Sequence, residues 1–364
     1  MFRKIVIGTG SLVGLALIVL SFLDRDAPTA SNGSKKEQSG QLQLDTAPLG
    51  ALTLVADGVV AGNSRGEIRH FSINGDEKAP AVYSVCSNAI SAPVLLCGDS
   101  YFVGDENGVF HAFQPGTGER WAYRTGNQIT GGALLSGGLV WVGSHDHTLY
   151  AFDPPTGECR HQVECGGQIN ATPVIDPEQR YLFLGNCDGK LRRIEIRTGN
   201  VRGELDFESP IPAQPVLVGG LIYVQTHGGE LIAVDAEGWT VRWRQHVQTG
   251  SVAAPFVTGT IAVANLTGKV FPVFDRTSGE PVGTLEADEP LAPIQAGSDS
   301  VLYGVTCRGR LYRWNREGSV WRRTQLADFQ TDCRTGCVRC GNRLLIADEG
   351  GDLFYYLEEN RDAP

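Results

Sequence analysis

One pattern of apolar and polar positions recurs along the chain from about residue 42 onward. In each copy a short apolar run ends at a small residue and a polar turn follows, as in Tyr101–Gly104 and then Asp105–Gly108. The residues that close these turns lie 39 to 42 positions apart, at 66, 108, 147, 189, 229, 268, 309 and 351. Hairpins that recur about every 40 residues are typical of propeller blades. The pattern therefore predicts an all-β protein, an eight-bladed β-propeller over residues 42–364, with seven blades as the alternative.

The eighth copy of the pattern ends near Leu357, one outer strand short of a complete blade. A ring left open at that point would expose an unpaired sheet edge. The segment Leu42-Gln43-Leu44-Asp45 alternates apolar and polar residues as a half-buried strand does. We therefore expect this segment to lie beside the last hairpin and to close the ring.

Other positions of the repeat resemble a known family. A Thr-Gly turn such as Thr117-Gly118 precedes a tryptophan such as Trp121, and a proline such as Pro93 begins the next blade. Over about residues 42–357 this is similar to the PQQ-like, quinoprotein-type propeller repeat. The stretch Gly143–Asp153 also resembles the propeller that ends the β-alanine-activating, acyl-CoA-synthetase-like enzymes. In architecture the chain is similar to the propeller component of the bacterial outer-membrane assembly machinery.

The resemblance implies a non-catalytic scaffold for protein–protein interaction. Quinoprotein dehydrogenases of this superfamily carry two adjacent cysteines over their cofactor, whereas no two cysteines are adjacent here. The blades also have few insertions that could cover a cofactor, so we expect no cofactor and no enzyme activity. One alternative is a detached docking module related to the β-alanine-activating enzymes. The other is a PQQ-dependent dehydrogenase-like enzyme.

The N-terminus contains an uncharged run of 19 residues, from Ile5 to Leu23, which follows Arg3 and Lys4. A helix of this length nearly spans a bilayer core of about 30 Å. We expect residues 1–23 to be a transmembrane anchor or a cleaved signal segment, and residues 24–41 to be a flexible linker. Because no cysteine precedes Cys86, a lipid-modified cysteine anchor is excluded. The propeller is expected on the non-cytoplasmic side, in a periplasm or lumen, or secreted if the segment is cleaved.

The charge balance limits the class of partner. The formal net charge is −10 and no long stripe of lysine or arginine is visible, which argues against binding to nucleic acid phosphates. In a propeller, the turns between the second and third strands lie on the same face as the blade-to-blade connections. We expect this face to bind a protein partner, through a basic segment, using the polar residues of the turns. These candidates are Asp105, Glu106, His145, Asp146, His147, Asp188, His227, Asp348 and Glu349. The alternative is a solvated rim that only keeps the protein soluble.

Two groups of residues have the spacing of metal ligands, although no metal is expected. Cys333, Cys337 and Cys340 approach the spacing of a structural zinc site, but the second pair that such a site needs is missing. We expect them on the inner strand of the eighth blade, with Cys340 on the opposite face, as small buried residues; a disulfide and a metal site are the alternatives. His145-Asp146-His147 could chelate a metal across a turn, but it also makes an ordinary polar turn.

Overall fold

The computed structural model describes residues 39–42, 52–72, 80–248, 252–333 and 335–358, and within these it contains strands and no helix. Eight antiparallel sheets of four strands each form the blades, so the alternative of seven blades is wrong. The first strands of neighbouring blades contact one another, as β14 (Val174–Ile175) does with β18 (Val216–Val218). These first strands therefore line the centre of the ring.

The strands follow the chain from the inside of each blade outward. Blade 1 holds β2 (Thr53–Val55), β3 (Gly58–Gly62), β4 (Glu67–Ser72) and β5 (Ala81–Ser84). Blade 2 holds β6 (Leu95–Cys97), β7 (Ser100–Gly104), β8 (Val109–Gln114) and β9 (Gly118–Arg124). Blade 3 holds β10 (Leu134–Ser136), β11 (Leu139–Gly143), β12 (Thr148–Phe152) and β13 (Cys159–Glu164). In blade 4, β14 is followed by β15 (Tyr181–Gly185), β16 (Lys190–Glu195) and β17 (Val201–Asp206).

The second half of the ring repeats this order. In blade 5, β18 is followed by β19 (Leu221–Gln225), β20 (Glu230–Asp235) and β21 (Thr240–His246). Blade 6 holds β22 (Phe256–Val257), β23 (Ile261–Val263), β24 (Gly268–Asp275) and β25 (Pro281–Leu291). Blade 7 holds β26 (Ala296–Gly297), β27 (Val301–Val305), β28 (Arg310–Glu317) and β29 (Val320–Asp328). Blade 8 holds β30 (Val338–Cys340), β31 (Arg343–Ala347) and β32 (Leu353–Leu357), completed by β1 (Ser39–Leu42).

The ring closes through its two ends. Strand β1 pairs antiparallel with β32, from Ser39 opposite Tyr356 to Leu42 opposite Leu353. The expected closing segment, residues 42–45, is therefore placed three residues too late, and residues 43–45 lie outside the described part of the chain. Alternation with a period of two identifies a strand but does not fix its register, which depends on the partner strand. The propeller consequently begins at Ser39, inside the segment expected to be linker.

The core lies between the blades. The second strands are almost wholly buried, as in β7, where every residue is buried, whereas the outer strand β9 has only half-buried and exposed positions. Side chains of adjacent blades interdigitate, and one such layer joins Phe110 of blade 2 to Phe152 of blade 3, with ring centroids 5.5 Å apart. Since one face of each sheet packs on the next sheet, each blade's position is fixed by both neighbours.

The three C-terminal cysteines do not share the inner strand. Cys333 and Cys337 precede β30, lie fully buried between blades 7 and 8, and pack with Tyr303 and Leu344. Cys340 ends β30 and packs against the cluster between blades 8 and 1. The expected strand position is thus wrong for Cys333 and Cys337, because the chain reaches β30 through a longer connection. All three are free thiols.

Among the described residues, none forms a helix of the length and apolarity that crossing a bilayer requires. The expected anchor at residues 5–23 and most of the expected linker lie outside the described residues.

Candidate binding face

The second-to-third-strand turns and the blade-to-blade connections meet on one side of the ring, here called the turn face. In six blades the second residue of the turn donates its backbone N–H to a carbonyl of the segment that leads in from the preceding blade, at 2.8 to 3.0 Å. These pairs are Glu106 with Ala89, His145 with Gln128, Cys187 with Gln168, His227 with Pro210, Cys307 with Pro290, and Glu349 with Asp332. In these blades the turns are therefore hydrogen-bonded to the connections and are not independent loops.

In blades 2 and 8 the turn begins with an aspartate whose side chain folds back onto the turn itself. Asp105 is fully buried, and its Oδ1 accepts hydrogen bonds from the backbone N–H groups of Asn107 and Val109, at 3.0 and 2.7 Å. Asp348 is 8% exposed and accepts from Asp352 N in the same way, at 2.7 Å. These two carboxylates satisfy backbone donors that the turn would otherwise leave unpaired. Their assignment to an exposed binding rim is wrong, because they point inward.

Asp146 and Asp188 are half-buried, and their carboxylates also contact neighbouring groups of the protein. Asp146 accepts hydrogen bonds from Gly126 N at 2.7 Å and from the Tyr150 hydroxyl at 2.8 Å. Burial, together with the bond to Asp146, raises the pKa of Tyr150. Asp188 forms an ion pair with Arg192, whose guanidinium also donates to Glu204 at 2.8 Å. Both aspartates therefore orient structural partners and are only partly available to a ligand.

The three histidines of the turns differ in exposure. His145 is buried, and its ring nitrogens lie 2.9 Å from Gln128 Nε2 and 2.7 Å from Thr130 Oγ1. Burial lowers the pKa of His145, so the ring is neutral near pH 7. His147 and His227 are exposed. His147 has φ 75°, in the place where the other turns have a glycine with positive φ, such as Gly108 at 78°. His145 and His147 therefore point away from a shared site, and no ligand cluster of the described residues contains them.

The exposed residues of the turn face belong to both the turns and the connections. Of the predicted residues, Glu106, His147, His227 and Glu349 are exposed. The connections add exposed residues that the turn motif does not identify: Asn127, Gln168, Glu208, Val252 and Asp332. The sequence signal for these additional positions is their place between an outer strand and the first strand of the next blade. Arg65 and Arg308 are exposed cations on the same face, so its charge is mixed.

One group of described side chains could bind a metal and was not identified by the sequence motifs. Ligand atoms of Cys86, Asp105 and His111 all lie within 4.8 Å of one another. Burial of the His111 ring favours its neutral form. Hydrogen bonds to Cys86, Glu119 and Asp105 outweigh that effect and raise the pKa of His111 to about 9. Cys333, Cys337 and Cys340 form no such group within the described residues.

Comparison with known proteins agrees with this architecture. The sequence profile described as outer membrane protein assembly factor BamB matches residues 34–163, 64–210, 106–315 and 188–354. No curated protein sequence matches the chain. The crystal structure of BamB from Moraxella catarrhalis has a TM-score of 0.73 at 18% identity, covering 90% of this chain and 99% of that one.

Two further solved structures reach the same TM-score of 0.73. The computationally designed Ika8 protein is 16% identical and covers 86% of this chain and 97% of its own. Sqt1 of Saccharomyces cerevisiae is 9% identical and covers 88% and 98%. At these identities the likeness concerns the fold alone. The expected resemblance to PQQ-like propellers is confirmed by the profile match and the fold together.

Proposed function

Since this chain belongs to the family of the outer membrane protein assembly factor BamB, we propose that it is a non-catalytic scaffold that binds a protein partner through the turn face. The family name describes an assembly factor, and a propeller presents a broad surface on one side of a rigid ring. The observation that carries the proposal is the hydrogen bonding between turns and connections on that face, which is present in most of the blades.

A rigid surface favours binding because little conformational freedom is lost when the partner docks. In most blades the backbone of the turn on this face makes two hydrogen bonds, one within the turn and one to the preceding connection. Within blade 2, Gly108 N donates to Asp105 O at 3.2 Å, and Glu106 N donates to Ala89 O in the connection at 3.0 Å. The side chain of Glu106 remains exposed while its backbone is fixed. At such positions the backbone needs no further ordering when a partner binds, and only the side chain loses freedom.

The partner segment is proposed to be basic. Glu106, Glu208 and Asp332 are exposed carboxylates on the turn face, and the chain as a whole carries a formal charge of −10. Arg65 and Arg308 divide this negative charge into separate areas, which favours a partner with spaced cations over a uniformly basic one. Charge complementarity of this kind acts mainly on the association rate and weakens as salt screens it.

For the location, we propose that residues 5–23 anchor the chain and that the propeller lies on the non-cytoplasmic side. The support is the uncharged run of 19 residues behind Arg3 and Lys4, together with the family's outer-membrane assembly role. Carbonate-washed membranes should retain the full chain and release a chain that begins at residue 35. Recovery of unprocessed full-length protein in the wash would contradict the anchor.

The docking face is tested by charge reversal at exposed positions only. The variant Glu106→Lys, Glu208→Lys, Asp332→Lys changes side chains that point to solvent on the turn face. Its matched control is Asp99→Lys, Glu237→Lys, Glu280→Lys, which changes exposed carboxylates in turns on the opposite side by the same charge. A photo-crosslinking residue at 106 in the parent identifies the partner in its own cell, with the same residue at 237 as the comparison.

At low salt the turn-face variant should bind the crosslinked partner at least about tenfold more weakly than the parent, whereas the control should bind as the parent does. High salt should reduce the difference, because screening removes the electrostatic part. Equal binding by the two triple variants would exclude this face as the docking surface.

A further inference from the structure

A second feature of the turn face is independent of partner docking. Cys86 lies in the connection between blades 1 and 2, Asp105 begins the turn between β7 and β8, and His111 lies on β8. Their sulfur, oxygen and nitrogen atoms lie within 4.8 Å of one another, and His111 Nε2 is 3.4 Å from Asp105 Oδ2. A thiolate, a carboxylate and an imidazole together form a ligand set found in zinc sites.

The groups around this cluster orient it as ligands are oriented in metal proteins. His111 Nδ1 lies 2.7 Å from Glu119 Oε1, so the second ring nitrogen is held on a carboxylate and Nε2 is aimed at the cluster. Carboxylates in this role fix the ring orientation of metal-binding histidines. Asn88 Nδ2 donates to Asp105 Oδ2 at 2.8 Å, and the two backbone N–H groups hold Oδ1. The arrangement is therefore fixed before any ion enters.

Blade 4 has a related arrangement with two differences. Asn186 stands at the turn position of Asp105, and the acidic residue Asp188 comes two positions later. Cys165 stands in the corresponding connection, since its N–H donates to His147 O as that of Cys86 donates to Gly66 O. The third residue of the third strand is Arg192, which donates to Asp188 Oδ1 at 3.1 Å. A guanidinium has no lone pair and cannot bind a metal. In blade 4 the positive charge beside the carboxylate is therefore that of Arg192 and not that of a metal ion. A blade can thus fold with arginine at this position. The imidazole of His111 is able to bind a metal, and folding of the blade does not require that ability.

We propose that Cys86, Asp105 and His111 bind one zinc ion, with a solvent molecule in the fourth position. Asp105 and His111 are buried, but Cys86 is half-exposed, so the cluster is open on one side. Three protein ligands with an open fourth position are a common arrangement for Zn²⁺. On binding, the thiol proton and the proton shared between His111 and Asp105 leave to the solvent, and the metal takes their place. The ion would link the segment that connects blades 1 and 2 to strand β8 of blade 2.

The experiment uses the full chain, reduced and freed of metal, titrated with Co²⁺ as a spectroscopic substitute for Zn²⁺. The parent should bind one equivalent and develop a thiolate-to-cobalt charge-transfer band in the near ultraviolet. Cys86→Ser should lose the band, whereas the matched control Cys165→Ser should keep it. His111→Arg introduces the residue type that blade 4 has at this strand position, where it can pair with Asp105, so the variant should remain folded by circular dichroism and yet lose the band. Glu119→Gln should weaken binding about 10- to 100-fold, because it loosens the ring orientation.

These outcomes separate a metal site from a purely structural hydrogen-bond cluster. A band in the parent and in Cys165→Ser that is absent from Cys86→Ser and His111→Arg supports the proposal, and added Zn²⁺ should abolish it by competition. No band in the parent, or a band that persists in Cys86→Ser, would overturn it. Neither result depends on whether a protein partner docks on the face.

Discussion

The indole of Trp121 in blade 2 packs directly against Gly157 in the outer turn of blade 3. The Trp121 Nε1–H donates to Pro154 O at 2.8 Å, and a Cβ placed on Gly157 would lie 2.6 Å from Trp121 Cδ2. The same contact recurs between Trp243 and Gly279, where the corresponding distance is 2.7 Å. The Thr-Gly turn and the tryptophan of the repeat are thus two halves of one interblade joint.

Substitution of this glycine should destabilise the ring. Gly157→Ala introduces both a strained φ of 74° and a clash with the indole. Gly116→Ala is the matched control, because Gly116 has φ 83° but a methyl group added there would meet nothing within 4 Å. We expect about 1–2 kcal/mol of lost stability from the backbone at each site, and a further 1–3 kcal/mol, roughly, at Gly157 from overpacking. Urea denaturation measures both, and equal losses would mean that the joint does not matter.

Removal of the closing strand should weaken the whole ring. A chain that begins at residue 43 lacks β1 and leaves the edge of β32 unpaired, whereas a chain that begins at residue 35 retains it. The hydrogen bonds of this pairing are worth on the order of 2–6 kcal/mol together. The shorter chain should also associate at high concentration, because an exposed edge pairs with other strands. Thermal melting and light scattering test this; identical melting of the two chains would contradict closure through β1.

Substitution of two adjacent acidic residues should change the free energy of unfolding by very different amounts. Asp105→Ala removes the acceptor of two backbone N–H groups and leaves His111 without a buried partner, so a loss of about 3–5 kcal/mol is expected. Glu106→Ala changes an exposed side chain and should stay within about 0.5 kcal/mol of the parent. Denaturant unfolding of the two single variants makes the comparison. A small effect at Asp105 would mean that the turn holds without its carboxylate.

Stability should fall as the pH drops below the ordinary range of histidine. Burial lowers the pKa of His145 in the folded protein, so the unfolded chain binds the proton more readily. Because the unfolded state binds more protons, the free energy of unfolding decreases as pH falls through about 6.5 and levels off below the folded pKa. His145→Gln removes this proton uptake. The loss of stability between about pH 7 and pH 5 should therefore be smaller in the variant than in the parent, and equal slopes would contradict a neutral buried His145.

The blades could be predicted from the sequence because hairpins are local. The run Tyr101–Gly104 and the turn Asp105–Gly108 lie next to each other along the chain, so their alternation and glycine already specify the hairpin. The binding rim could not be predicted in the same way. Asp105 and Glu106 are both acidic turn residues in the sequence, and only the direction of each side chain separates a buried acceptor from an exposed charge.

By itself, then, the sequence determined the strand class and the period of about 40 residues. It also predicted a closing strand near residue 42, and the structure decided for eight blades over seven. The tertiary structure alone decided the register of β1 on β32, the inward side chains of the turn face, and the meeting of Cys86 with His111. The direction of a turn side chain such as Asp105 is decided within its own turn by the backbone N–H groups that it accepts from. The register and the meeting of Cys86 with His111 depend instead on contacts between the two ends of the chain and between a connection and the next blade. Such contacts join residues whose distance along the chain carries no information about their distance in space.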